Sequence, residues 1–128
     1  MRLFSLDYTV LIVEELDRSV AFYSEVLGIS LSHQTSGYAQ LITGQTRLAL
    51  YTRESMSATL GQELEAPARN APSSEIGFLV ADVDEAYQVI TERGAESVKE
   101  PTDRFWGQRT AYVRDPDGHL IELVQQLE

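Results

Sequence analysis

Polar and apolar residues alternate from Asp7 to Val13 in a run rich in β-branched side chains. This predicts a strand with Tyr8, Val10 and Ile12 on one face and Thr9, Leu11 and Val13 on the other. The period then lengthens. Val20, Phe22, Tyr23 and Val26-Leu27 recur at helical spacing, so a helix is expected over about Arg18 to Val26, capped by Asp17 and stopped by Gly28. Alternation returns near Ser30–Gln34, Tyr38–Thr43 and Arg47–Thr52, divided by turn signals at Ser36-Gly37 and Thr43-Gly44.

Residues 54–74 lose any period. Pro67 and Pro72 deny regular structure, and the stretch reads as a linker with at most a short helical turn around Ala58–Leu64. The order then repeats: a strand at Glu75–Val80, a helix at Val83–Arg93 ended by Gly94, and strands near Ser97–Lys99, Gln108–Arg114 and Leu120–Gln125. A tight turn is expected at Asp115-Pro116-Asp117-Gly118.

The repetition is also one of residues. Leu11-Ile12-Val13-Glu14-Glu15-Leu16-Asp17 returns 67 positions later as Phe78-Leu79-Val80-Ala81-Asp82-Val83-Asp84. Thr46–Tyr51 returns as His119–Val124, offset by 73. Two β-α-β-β-β half-modules, residues 1–53 and 75–128, are therefore expected to form one domain over residues 1–128. By strand parity Leu11, Val13, Phe78, Val80, Ile121 and Leu123 should pack against helices, and their alternating neighbours should face a cleft.

Composition narrows the partners. Ten basic and 20 acidic side chains give a net charge of −10, which repels a phosphate backbone and favours a cationic small molecule. With no cysteine there is no disulfide, thiolate nucleophile or Cys-ligated metal. No apolar run is long enough to span a bilayer, and Met1–Asp7 does not read as a secretory signal, so no membrane partner and a cytoplasmic location are expected.

Two stretches carry a family resemblance: Leu16-Asp17-Arg18-Ser19-Val20-Ala21-Phe22-Tyr23 with Leu27-Gly28, and Trp106-Gly107-Gln108-Arg109 with Arg114-Asp115-Pro116-Asp117-Gly118-His119-Leu120-Ile121-Glu122-Leu123. In these the chain resembles the vicinal oxygen chelate superfamily of glyoxalase I, bleomycin-resistance proteins and extradiol dioxygenases. The resemblance implies an α+β fold. Two βαβββ modules would form a curled, open, barrel-like mixed sheet with helices outside, in a homodimer.

It also implies a metal-ligand position on the first and fourth strand of each half. Carried over by the two offsets, these positions are Tyr8, Ala49, Glu75 and Glu122. Only the glutamates are competent ligands, since alanine has no donor and a neutral tyrosine seldom binds Zn²⁺, Ni²⁺ or Fe²⁺. The metal site is thus expected to be incomplete, with no cofactor beyond a weakly held divalent ion. His33, on the second strand, and His119, expected as an exposed turn residue, are not expected to be ligands.

The expected ligand-binding residues are Tyr8, Arg47, Tyr51, Glu75, Trp106 and Glu122. Two cleft carboxylates need a cationic partner, either Arg47 in an internal ion pair or a cationic ligand stacked on Trp106. A lone Trp could equally belong to the core. Two functions follow. One is a small-molecule-binding protein resembling bleomycin-resistance proteins, which sequesters a cationic or aromatic ligand. The other is an enzyme, a glyoxalase-like isomerase or lyase or a metal-free proton-transfer catalyst with Glu75 or Glu122 as general base.

Overall fold

In a computed structural model describing all residues Met1–Glu128, the chain runs through eight strands and three helices. They are β1 (Tyr8–Val13), α1 (Leu16–Ala21, continued as a π-helical turn over Phe22–Val26), β2 (Leu31–Thr35), β3 (Tyr38–Leu41), β4 (Arg47–Thr52) and α2 (Arg53–Leu60). The second run is β5 (Glu75–Leu79), α3 (Val83–Glu92), β6 (Glu96–Arg104), β7 (Gln108–Arg114) and β8 (Leu120–Gln126). The chain divides into two compact units, Met1–Ala66 and Pro67–Glu128, with the boundary inside the expected linker.

Each unit holds one open four-stranded mixed sheet, ordered β1-β4-β3-β2 in the first and β5-β8-β7-β6 in the second. The repeat read from the sequence is reproduced in the register of the strands. Tyr8 pairs with Arg47 in the first unit and Glu75 with Leu120 in the second, and these positions differ by the same offsets, 67 and 73. Both pairings are parallel, and both sheets continue through antiparallel hairpins.

One face of each sheet is covered. In the first unit Leu11, Val13, Ala39, Leu41, Leu48 and Leu50 are buried with Phe22 and Tyr23 of the helical segment, whose rings meet edge to face at 5.1 Å. In the second, Ala111, Val113, Ile121 and Leu123 are buried with Val83 and Ile90 of α3. Phe78 is only half-buried, and Val80 lies one residue beyond the end of β5, its N–H donating to Val124 O at 2.8 Å.

Several elements depart from the sequence reading. The first helix starts at Leu16 with Glu15 as its N-cap, so Asp17 lies inside the first turn, where the helix dipole favours its charge. Leu27 N–H donates to Phe22 O at 3.0 Å, the wide π-type spacing, before Gly28 turns the chain at φ +75°. The expected linker opens with a helix, α2, whose first N–H groups are met by Thr52 Oγ1, accepting from Ser55 N at 3.1 Å. Arg53 anchors it, donating to both Glu14 oxygens at 2.9 and 2.5 Å and to Leu64 O at 2.8 Å.

Strand β6 is far longer than the expected Ser97–Lys99 and runs through Pro101. Proline is tolerated there because β6 is an edge strand with register shifts on either side of Lys99. The β7–β8 turn is as expected. Asp115 is buried and accepts from Asp117 N and His119 N at 2.9 and 2.8 Å, while Gly118 takes φ +91°. A Cβ on Gly118 would also sit 2.8 Å from Arg69 O, because Arg69 packs here and donates to Pro116 O at 2.8 Å. His119 is half-buried rather than exposed, since the turn folds back on its backbone.

Candidate functional site

Strand parity puts the expected site residues of the strands, Tyr8, Arg47, Tyr51, Glu75 and Glu122, on the sheet faces opposite the helical core residues named above. In the second unit β5, β8 and β7 run side by side, with Gly77 opposite Glu122 and Glu122 opposite Tyr112. Glu122 is half-buried and accepts a 2.7 Å hydrogen bond from the Tyr112 hydroxyl at Oε2. Gly77 makes room for the other oxygen: a Cβ there would lie 3.2 Å from Glu122 Oε1. Glu122 is thus oriented by the Tyr112 phenol, with the space beside its other oxygen left open by Gly77.

Glu75 lies two residues before Gly77 on the same face. Although the residue is largely exposed, partial burial pushes its carboxyl above the ordinary carboxylate range, and the charge of Glu122 adds to the effect. Tyr112 is raised too, first by burial and then by its bond to Glu122.

Five basic side chains of this unit are engaged by other partners. Arg69 and Arg114 hold Glu96 at 2.7 and 3.2 Å, Arg109 holds Asp84 and Asp103 at 3.0 and 2.9 Å, and Arg104 Nε donates to Thr110 Oγ1 at 2.9 Å. Lys99 pairs with Glu100 at 3.4 Å.

In the first unit Tyr8 and Arg47 are register partners. Arg47 Nη1 donates to the Tyr8 hydroxyl at 2.7 Å, and its guanidinium carbon lies 5.1 Å from the centre of that ring. The contacts of Arg47 are therefore with a phenol, not with the carboxylate expected as its ion-pair partner. Tyr51 pairs with Tyr38, ring to ring at 5.9 Å, and its hydroxyl meets Thr59 Oγ1 at 2.7 Å. Ala49, fully buried between these pairs, offers only a methyl group.

Trp106 is 54% exposed at the β6–β7 turn, against Phe105 at 4.9 Å, with Nε1 donating to Gln108 Oε1 at 2.8 Å. It is not a core residue. Nor does the fold bring it to the carboxylates. Gln108 opposes Gln126 at one end of β8, and Glu75 opposes Leu120 at the other. Tyr112 alone is four residues along β7, roughly 13 Å at strand spacing.

The residues at the four implied ligand positions do not fit a divalent-metal set: Tyr8 is bonded to Arg47, Ala49 has no donor, and only Glu75 and Glu122 are carboxylates. Nowhere do three or more His, Cys, Asp or Glu side chains gather as metal ligands. His33 is exposed on β2, its ring 5.9 Å from Tyr38.

Tyr112 and Tyr38 are the site-face residues that sequence reasoning missed. A signal for Tyr112 was present. Counting outward from the Asp115–Gly118 turn, with Arg114 opposite Leu120, puts Tyr112 opposite Glu122.

The profile of the glyoxalase/bleomycin resistance protein/dioxygenase superfamily matches residues 5–123. A bleomycin resistance protein of Geobacillus stearothermophilus is 30% identical over 126 residues, spanning 91% of this chain and 92% of its own. A probable lactoylglutathione lyase of Vibrio cholerae is 31% identical over 125 residues, spanning 92% of this chain and 88% of its own. Among solved structures, a glyoxalase/bleomycin resistance protein/dioxygenase from Nocardioides superposes with a TM-score of 0.83 at 26% identity, covering 100% of this chain and 87% of that one. On sequence profile, strand order and fold, the chain belongs to the glyoxalase/bleomycin resistance protein/dioxygenase superfamily.

Proposed function

We propose that this protein binds and sequesters a cationic, planar aromatic small molecule, without a resident metal ion and without transforming it. The observation that carries this reading is the Glu75–Glu122 pair. Two carboxylates share an open sheet face, one is fixed by Tyr112, and the arginines and lysine named above are bound to other partners. Partly desolvated negative charge without a counter-ion attracts a cation from solution. On this reading the ligand sits on the sheet face of the second unit, in a cytoplasmic homodimer. The bleomycin resistance protein of Geobacillus stearothermophilus is a relative whose name agrees with a binding role.

Calorimetric titration with 1-naphthylmethylammonium, and with bleomycin in a second arm, tests the reading. Saturable binding that weakens about tenfold or more in Glu122→Gln is expected, because the substitution keeps shape and removes charge. Equal affinity in parent and variant would overturn it.

A second reading has its own observation. The raised Glu75 carboxyl beside the hydrogen-bonded Glu122 splits a carboxylate pair into a better proton holder and an oriented acceptor, as general acid–base catalysis requires. The Vibrio cholerae relative, named a probable lactoylglutathione lyase, agrees with it. Turnover of a carbon acid that disappears in both Glu75→Gln and Glu122→Gln would favour this reading over sequestration.

A further inference from the structure

The chain between α2 and β5 is tied down at both ends and bare in the middle. On the first-unit side both peptide groups of Leu64 are held. Its N–H donates to Ser57 Oγ at 3.0 Å, and its carbonyl accepts from Arg53 Nη1 at 2.8 Å. Arg53 is itself fixed by Glu14, with Glu63 at 3.7 Å. On the second-unit side the ties run through Arg69 and Asn70. Arg114 Nη1 donates to Arg69 O at 3.1 Å, and Nη2 to Asn70 Oδ1 at 2.7 Å. Arg69 reaches back to Pro116 O and Glu96 Oε1, at 2.8 and 2.7 Å. The other oxygen of Glu96 lies 3.2 Å from Arg114 Nε, so one carboxylate bridges two guanidiniums.

Between these clamps Glu65, Ala66 and Pro67 are exposed and make no hydrogen bond or ion pair. The first compact unit ends at Ala66 and the second begins at Pro67. Elsewhere in the linker, arginines satisfy the carbonyls of Leu64 and Arg69, which no helix or strand takes up. The two clamps differ in kind. Arg53 is mostly buried and grips both oxygens of Glu14. In the second clamp Arg114 is mostly buried, but Arg69 and Glu96 are half-exposed, where water screens an ion pair.

We propose that the linker is a hinge confined to Glu65–Pro67, and that Arg69, Glu96 and Arg114 form a latch that sets its reach. Latched, three residues are free, a span of roughly 10 Å when extended. With the latch open the free chain runs from Glu65 to Ser74, ten residues and roughly 33–36 Å. Pro67 narrows the motion of the short hinge, since its ring fixes φ and keeps Ala66 extended. Gly118 lets the latched strap lie close, because a Cβ there would meet Arg69 O at 2.8 Å. The latched strap is further folded on itself, Ala71 N–H donating to Ala68 O at 3.2 Å. This device needs no ligand and does not depend on the binding function proposed above.

The test is ¹⁵N relaxation of the intact protein and of two variants, with the fold checked by circular dichroism. In the parent the heteronuclear NOE should dip at Glu65 and Ala66, the hinge residues with an N–H, and recover by Asn70. Glu96→Ala removes both acceptors of the latch. It should carry the dip through to Ser74 and raise tryptic cleavage after Arg69 by about tenfold or more. Arg53→Gln should spread the dip the other way, to Leu64 and Glu63, and leave Asn70–Ser74 as in the parent. An even NOE from Glu63 to Ser74 in the parent would overturn the hinge. A parent dip already running to Ser74 would overturn the latch, as would a Glu96→Ala profile and tryptic rate equal to the parent's.

Discussion

At the scale of single residues, Glu75 offers the sharpest test. Its pKa is raised on folding by desolvation and then by Glu122. The native state therefore binds the proton more tightly than the unfolded chain, and the contribution of Glu75 is most favourable below the unfolded value near 4.5. It is lost as pH rises through the higher folded value. Glu75→Gln removes the titration, so the stability of the variant relative to the parent should grow across that window and then level off. Exposure limits the gain at pH 7 to under about 1 kcal/mol. Urea melts of both proteins from pH 4 to 8 measure it, and a constant difference would contradict the assignment. Of the residues on these faces, Tyr8, Arg47, Tyr51, Glu75 and Glu122 were legible from parity and the two offsets. Tyr112 and Tyr38 were not singled out, because what matters about them is the partner opposite: Glu122 for one, Tyr51 for the other.

At the scale of elements, the two halves differ where their helices begin. Asp82 caps α3, its carboxylate accepting from Glu85 N at 3.1 Å, while the equivalent residue 67 positions earlier, Glu15, makes no side-chain cap. The longer glutamate places its oxygens beyond the N–H groups that aspartate reaches. Asp82→Ala should therefore cost about 1 kcal/mol, and Glu15→Asp should gain a fraction of that, both read from denaturation midpoints. Loss of stability in Glu15→Asp would show that the Glu15–Arg18 pair, 3.8 Å apart, outweighs a cap. Helix α2 was hidden in the sequence because its anchor, Glu14 on Arg53, joins residues far apart in the chain. Strand β6 was hidden because Pro101 reads as a breaker unless the strand is known to lie at a sheet edge.

At the scale of the whole molecule, the proposed homodimer has apolar surface to bury. Leu3, Phe4, Leu6 and Val10 near the start of the chain, Leu79 on β5 and Phe105 at 97% exposure are all accessible. Analytical ultracentrifugation at micromolar concentration should give about twice the 14.3 kDa chain mass, and a single 14 kDa species would refute the dimer. No helix is long and apolar enough to cross a membrane. The sequence by itself determined the duplicated βαβββ order, the paired offsets and the face on which each strand residue lies. These follow from local periodicity and steric preference, which a linear chain displays. Tertiary structure alone decided that Arg47 meets a phenol, that Glu122 is braced by Tyr112 beside Gly77, and that Trp106 stands at the far end of the sheet from Glu75. Each of these depends on which strands become neighbours and in what register, and that is set by packing across the sheet.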